Sequence, residues 1–111
     1  MGVSSLLNVP KTAEDWASWA LNHRIQHDAI LSAVSSQKSV KLTSYLLDPI
    51  NFNYPDLFLQ NNSQAHTDMN NTMKTQSTDL LEVNLSDEKQ LASWIYSHWL
   101  EHNTINQALG I

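Results

Sequence analysis

Residues 91–109 read LASWIYSHWLEHNTINQAL, and residues 16–34 read WASWALNHRIQHDAILSAV. Set side by side without a gap, they share the skeleton A-S-W-x3-H-x3-H-x2-I-x2-A, with seven identities: Ala17/Ala92, Ser18/Ser93, Trp19/Trp94, His23/His98, His27/His102, Ile30/Ile105 and Ala33/Ala108. A weaker third copy, PDLFLQNNSQAHTDMNNTM, lies between them at residues 55–73. It sets Phe58 against the tryptophans, Asn62 against the first histidine, His66 against the second, and Met69 and Met73 against the aliphatic positions. A repeat of this kind is the first thing to establish, because each copy is one structural unit that must bury its apolar face against the others.

The spacing within each copy is helical. Trp16, Ala20, His23, His27, Ile30 and Val34 follow a 4-3-4-3-4 rhythm, as do Leu91, Ile95, His98, His102, Ile105 and Leu109. Leu59, Asn62, His66, Met69 and Met73 continue it in the middle copy. Such spacing puts every one of these positions on one helix face. Trp19, Phe58 and Trp94 widen each stripe.

Helices are therefore expected at about 13–35, 55–74 and 87–109 of a single domain spanning 1–111. Thr12-x-x-Asp15 resembles a capping box, Pro55 suits a first helical position, Ser86 precedes the acidic first turn Asp87-Glu88, and Gly110 suits a C-cap. The connectors are longer than the 2–8 residues usual between antiparallel bundle neighbours. They are long enough to run back along a helix. The fold expected is all-α: a three-helix bundle built from three internal repeats in pseudo-threefold arrangement, with long ordered extended linkers packed by Leu46, Leu47, Ile50, Phe52 and Tyr54. An up-down-up bundle is the other arrangement the lengths allow. A fainter echo, apolar-Asn/Asp-apolar or Pro, recurs before each helix in Leu7-Asn8-Val9, Leu47-Asp48-Pro49 and Val83-Asn84-Leu85.

Composition removes several function classes. The chain has 111 residues and no cysteine, so disulfides and thiolate metal sites are excluded. Six basic residues against eleven acidic give a net charge of −5, too few and too scattered for a nucleic-acid groove. No apolar run approaches a membrane span, and the N-terminus lacks the basic and apolar regions of a secretory signal. With Gly2 and Gly110 as the only glycines, no Gly-rich phosphate loop can form. No G-x-S-x-G elbow accompanies the serines.

The histidines carry the chemistry. All five, His23, His27, His66, His98 and His102, occupy repeat positions, in the middle of their stripes. One reading is a metal site, since convergent imidazoles suit zinc, copper or nickel. The other is a hydrogen-bonded polar layer that fixes helix register, because neutral histidine both donates and accepts. The repeat favours the layer. HWLEH (98–102) matches the H-x-x-E-H pattern of some zinc peptidases. Glu101, however, falls off the seam and is expected to face outward, and no distal ligand follows in the remaining nine residues. No catalytic residue, cofactor or resident metal is thus expected, with the five histidines as ligands if the alternative holds.

LLDPI at 46–50, ASWIYSHWLEHN at 92–103 and the terminal ALGI resemble a group of small acidic proteins encoded among the structural genes of tailed bacteriophages. That group pairs an L-D-P-I/F linker with W-x3-H-x3-H helices and an L-G-I ending, over most of residues 12–111. Asn62 and the polar segment 60–78 depart from the pattern. The resemblance implies a virion or assembly protein in virion or host cytoplasm: a connector, adaptor or decoration subunit in multiple copies. It would act by contact with other virion proteins and not on nucleic acid or membrane. Gln60, Asn61, Gln64, Thr67, Trp99 and the chain ends are the expected contact residues. The function expected is contact within an assembly; the alternative is a zinc-like metal-binding helical module.

Overall fold

A computed structural model of the chain describes residues 6–44, 55–78, 80 and 82–111, with backbone alone at 55–57. The protein is all-α: α1 spans Ala13–Lys38, α2 Pro55–Met73 and α3 Glu88–Leu109. Among the described residues there is no strand, and no helix is long and apolar enough to cross a membrane.

The helix ends follow the local chemistry. Thr12 caps α1 with a complete capping box: its hydroxyl accepts from the Asp15 N–H at 3.1 Å, and the Asp15 carboxylate accepts from the Thr12 N–H at 3.2 Å. The helix runs to Lys38, three residues past the expected end. No breaker stands among Ser35, Ser36 and Gln37, and it stops only where Ser39 turns left-handed at φ 56°. For α3 the cap is Asp87 itself, accepting from the N–H groups of Lys89 and Gln90. Gly110 closes it at φ 72°, a backbone conformation glycine adopts without a Cβ penalty.

Side-chain contacts give the helices their direction. Near their first turns Trp19, Phe58 and Trp94 meet pairwise, with centroids 5.4 Å apart for the two indoles and 6.1 and 5.9 Å to the phenyl ring. Leu6, Trp16, Leu91 and Ile95 complete this aromatic cluster. Toward the far ends Ile30, Val34, Met69, Ile105 and Leu109 form a second, aliphatic cluster. The Gln37 amide of α1 donates to the Leu109 carbonyl of α3 at 2.7 Å. All three helices therefore point the same way. A 26-residue helix is about 39 Å long at 1.5 Å per residue, matching the 38 Å longest dimension of the molecule.

The connecting segments pack on the bundle where they are described. Val9, Val83 and Leu85 lie against the aromatic cluster and Leu42 against the aliphatic one. The Trp19 indole N–H donates to the Leu6 carbonyl at 3.2 Å. Leu46, Leu47, Ile50, Phe52 and Tyr54, expected to anchor the first linker, fall outside the described residues.

Candidate metal centre

Between the aromatic and aliphatic clusters lies a polar middle. The helical rhythm that buries Trp19 and Ile30 necessarily buries His23 and His27 between them, and the same holds for His98 and His102 between Trp94 and Ile105. All five histidines are buried, each at 3% exposure or less. One ring nitrogen from each lies within 4.8 Å of every other. His27, His66 and His102, one from each helix, come together at the centre of this group.

Two layers can be distinguished. In the upper one, His23 and His98 approach to 4.6 Å between centroids, and the Asn62 amide lies with Nδ2 3.5 Å from Nδ1 of His98. Each of these histidines lies flat on the indole one turn earlier in its own helix. Trp19 stacks on His23 at 4.8 Å and 16°, and Trp94 on His98 at 4.6 Å and 14°. In the lower layer, Nε2 of His66 lies 3.2 Å from Nε2 of His27 and 3.2 Å from Nε2 of His102.

Burial pushes His23, His27 and His102 well below the ordinary histidine range. For each, desolvation is the largest cause and the repulsion of neighbouring imidazoles the next. The neutral form, the one with a lone pair to offer, is thus favoured.

Glu101 is a correction to the sequence reading. It was expected to face outward, yet it is 1% exposed. Thr78 donates to Oε2 through its backbone N–H at 2.6 Å and its hydroxyl at 3.1 Å, and Asn70 donates to Oε1. Oε1 also stands 3.7 Å from Nδ1 of His66. The physical reason is the segment after α2. It crosses the outer side of α3, with the Thr78 hydroxyl also 3.0 Å from the Ser97 carbonyl, and covers a position that helix periodicity alone assigns to solvent. Glu101 therefore reaches the cluster from behind, through His66. Its carboxylate thus lies on the Nδ1 side of His66, away from the facing Nε2 atoms. That is not the place of a base facing a metal-bound water.

Other expectations divide. Trp16, Trp19 and Trp94 are core, as expected. Trp99 is half-buried against the aromatic cluster, while Gln60, Gln64 and Thr67 are exposed and Asn61 is half-buried. Sequence reasoning also missed the buried pair Asn106–Gln26, at 3.3 Å, and Asn70.

Compared with known protein families, curated proteins and solved structures, the chain matches none. Its site is read from its own geometry.

Proposed function

We propose that this protein is a transition-metal-binding helical module, with His23, His27, His66, His98 and His102 as the ligands of one divalent ion. One observation carries the reading: a single nitrogen, Nε2 of His66, faces two other Nε2 atoms at 3.2 Å each. A ring nitrogen has one in-plane direction, holding either a proton or a lone pair. It cannot hydrogen-bond well to two partners at once. Three lone pairs aimed at a common cation remove the conflict. Metal–nitrogen bonds of about 2.1–2.2 Å, a little longer than in four-coordinate zinc, put neighbouring ligand nitrogens at near-right angles roughly 3.0–3.1 Å apart.

The alternative, a polar layer that satisfies itself by hydrogen bonding, fares less well in this geometry. Nε2 of His23 is buried without a hydrogen-bond partner. Each unmade bond of that kind costs about 1–3 kcal/mol. An all-imidazole donor set suits zinc, copper, nickel, cobalt or ferrous iron and gives calcium or magnesium nothing they prefer. Glu101 supplies the negative charge that a buried dication needs nearby, 3.7 Å from Nδ1 of His66.

The three helices, on this reading, are three internal repeats in pseudo-threefold arrangement. Parallel direction and matched levels of Trp19/Phe58/Trp94, of the histidines, and of Ile30/Met69/Ile105 support it. The test is elemental analysis with native mass spectrometry after loading with zinc or cobalt. One ion per chain, released by chelator with a fall in melting temperature, is expected. A chain that stays metal-free under these conditions removes the proposal.

A second reading, a contact subunit of an assembly such as the phage particle suggested by the resemblance, is favoured by Leu21 and Ile25. They lie one turn apart on α1 and are 59% and 42% exposed. Sedimentation tests it: a self-associating chain that becomes monomeric on Leu21→Glu and Ile25→Glu supports it, and a monomer throughout speaks against self-assembly.

A further inference from the structure

Six seam positions surround the centre, two from each helix, and five of them are histidine. The sixth is Asn62. Resting on the metal-binding reading, we infer that the bound ion keeps one exchangeable coordination position on the Asn62 side, occupied by water or hydroxide and open to small anions.

Three observations place it there. First, Asn62 stands in the upper layer where the other two helices present His23 and His98, with Nδ2 3.5 Å from Nδ1 of His98. An amide is shorter than an imidazole and a poor ligand for borderline metals, so this corner is left without a strong protein donor. Second, Asn62 is 2% exposed and its Oδ1 has no hydrogen-bond partner of good geometry, although the amide also stands close to the His23 ring. A buried amide oxygen without a donor is rare, and a water or hydroxide held on the ion would supply the missing O–H. Third, Asn62 and Trp94 line a cleft of about 580 Å³ whose other walls include Gln60, Gln64, Thr67 and Glu82. Those four are exposed whereas Asn62 and Trp94 are not, so the cleft leads from solvent toward the Asn62 corner. Its lining is mixed, with Leu59, Leu80 and Val83 beside the polar residues, and it has room for a small guest.

The arrangement differs from a closed structural site, which fills every position with protein ligands, and has the one open place that lets an ion bind an outside molecule. The inference is ligand exchange and nothing more.

The experiment uses the full chain loaded with cobalt(II) or copper(II) and titrated with azide, read by absorption. A saturable azide-dependent charge-transfer band is expected from the wild type. Asn62→His should keep one ion per chain and lose the azide band, because a sixth imidazole fills the position. A wild type that holds its ion but gives no azide response overturns the inference and leaves metal binding intact, and this outcome does not depend on whether the variant folds. An Asn62→His protein that still binds azide places the open position elsewhere and equally overturns it. Failure of the wild type to hold any ion defeats the metal reading itself.

Discussion

His23 and His98 lie flat against the indoles of Trp19 and Trp94, whereas His27, His66 and His102 meet one another through ring nitrogens, with Glu101 behind them. The two layers are one helical turn apart on the same three helices. The upper layer is oriented by packing: an indole face fixes the plane of an imidazole but says nothing about its proton. In the lower layer ring nitrogens face one another, with the Glu101 carboxylate 3.7 Å from Nδ1 of His66. Shape thus sets the planes of the upper rings, whereas polar atoms face one another in the lower layer.

Substitution should break the comparison most sharply at His66. His66→Leu removes the nitrogen that faces both other lower-layer histidines and leaves Glu101 without its imidazole neighbour. Elemental analysis should find no retained metal. His98→Gln, in the upper layer, should weaken binding but leave the ion in place. Equal loss from both variants would erase the distinction between layers.

Trp94→Ala should act on the fold instead. Trp94 is 1% exposed and stacks on His98 while touching Trp19 and Phe58. Its truncation should cost about 3–5 kcal/mol in denaturant unfolding of the metal-free protein. A loss below about 1 kcal/mol would mean that the aromatic cluster is not tightly packed.

Acid should unfold the metal-free chain. His23, His27 and His102 have folded pKa values pushed well below the ordinary histidine value. The unfolded chain then binds more protons, so stability is retained above the unfolded value of about 6.5 and falls as pH drops below it. The fall is at most about 1.4 kcal/mol per pH unit for each of the three groups. A melting temperature that stays level from neutral pH to about pH 5 in the presence of chelator would contradict the burial of the cluster.

Glu101→Gln is the subtlest of these changes. It keeps the shape of the side chain and removes the charge behind His66, and metal affinity should fall about 10–100-fold with one ion still bound at saturation. Unchanged affinity would return Glu101 to the role of a fastening for the Thr78 segment.

The sequence disclosed the helices and the histidine layers because both are periodic. Seven identities in fixed register, at the spacing of a single helix face, leave little freedom in where His23, His27, His98 and His102 can point. The Asn62/His66 copy was legible by the same register. Glu101 was not legible, for a specific reason. Its burial depends on Thr75–Thr78, an irregular segment with no period, folding over α3. The buried Asn70 and the Asn106–Gln26 pair likewise flank the seam and depend on which neighbour closes over them. The direction of the helices was open too, since the central histidines would converge in either sense. The pairing of Gln37 with Leu109 at one end and Trp19 with Trp94 at the other sets α1 against α3, and Phe58 in the aromatic cluster with Met69 in the aliphatic one sets α2.

X-ray absorption at the metal edge of the zinc- or cobalt-loaded protein tests the central claim most directly, because it counts imidazoles around the ion. The five-histidine centre predicts a first shell of nitrogen, lengthened by a few hundredths to a tenth of an ångström from the ~2.0–2.1 Å of four-coordinate zinc, with the outer-shell scattering of several imidazole rings. A shell dominated by oxygen and lacking imidazole scattering, as an ion held by surface carboxylates would give, would contradict it.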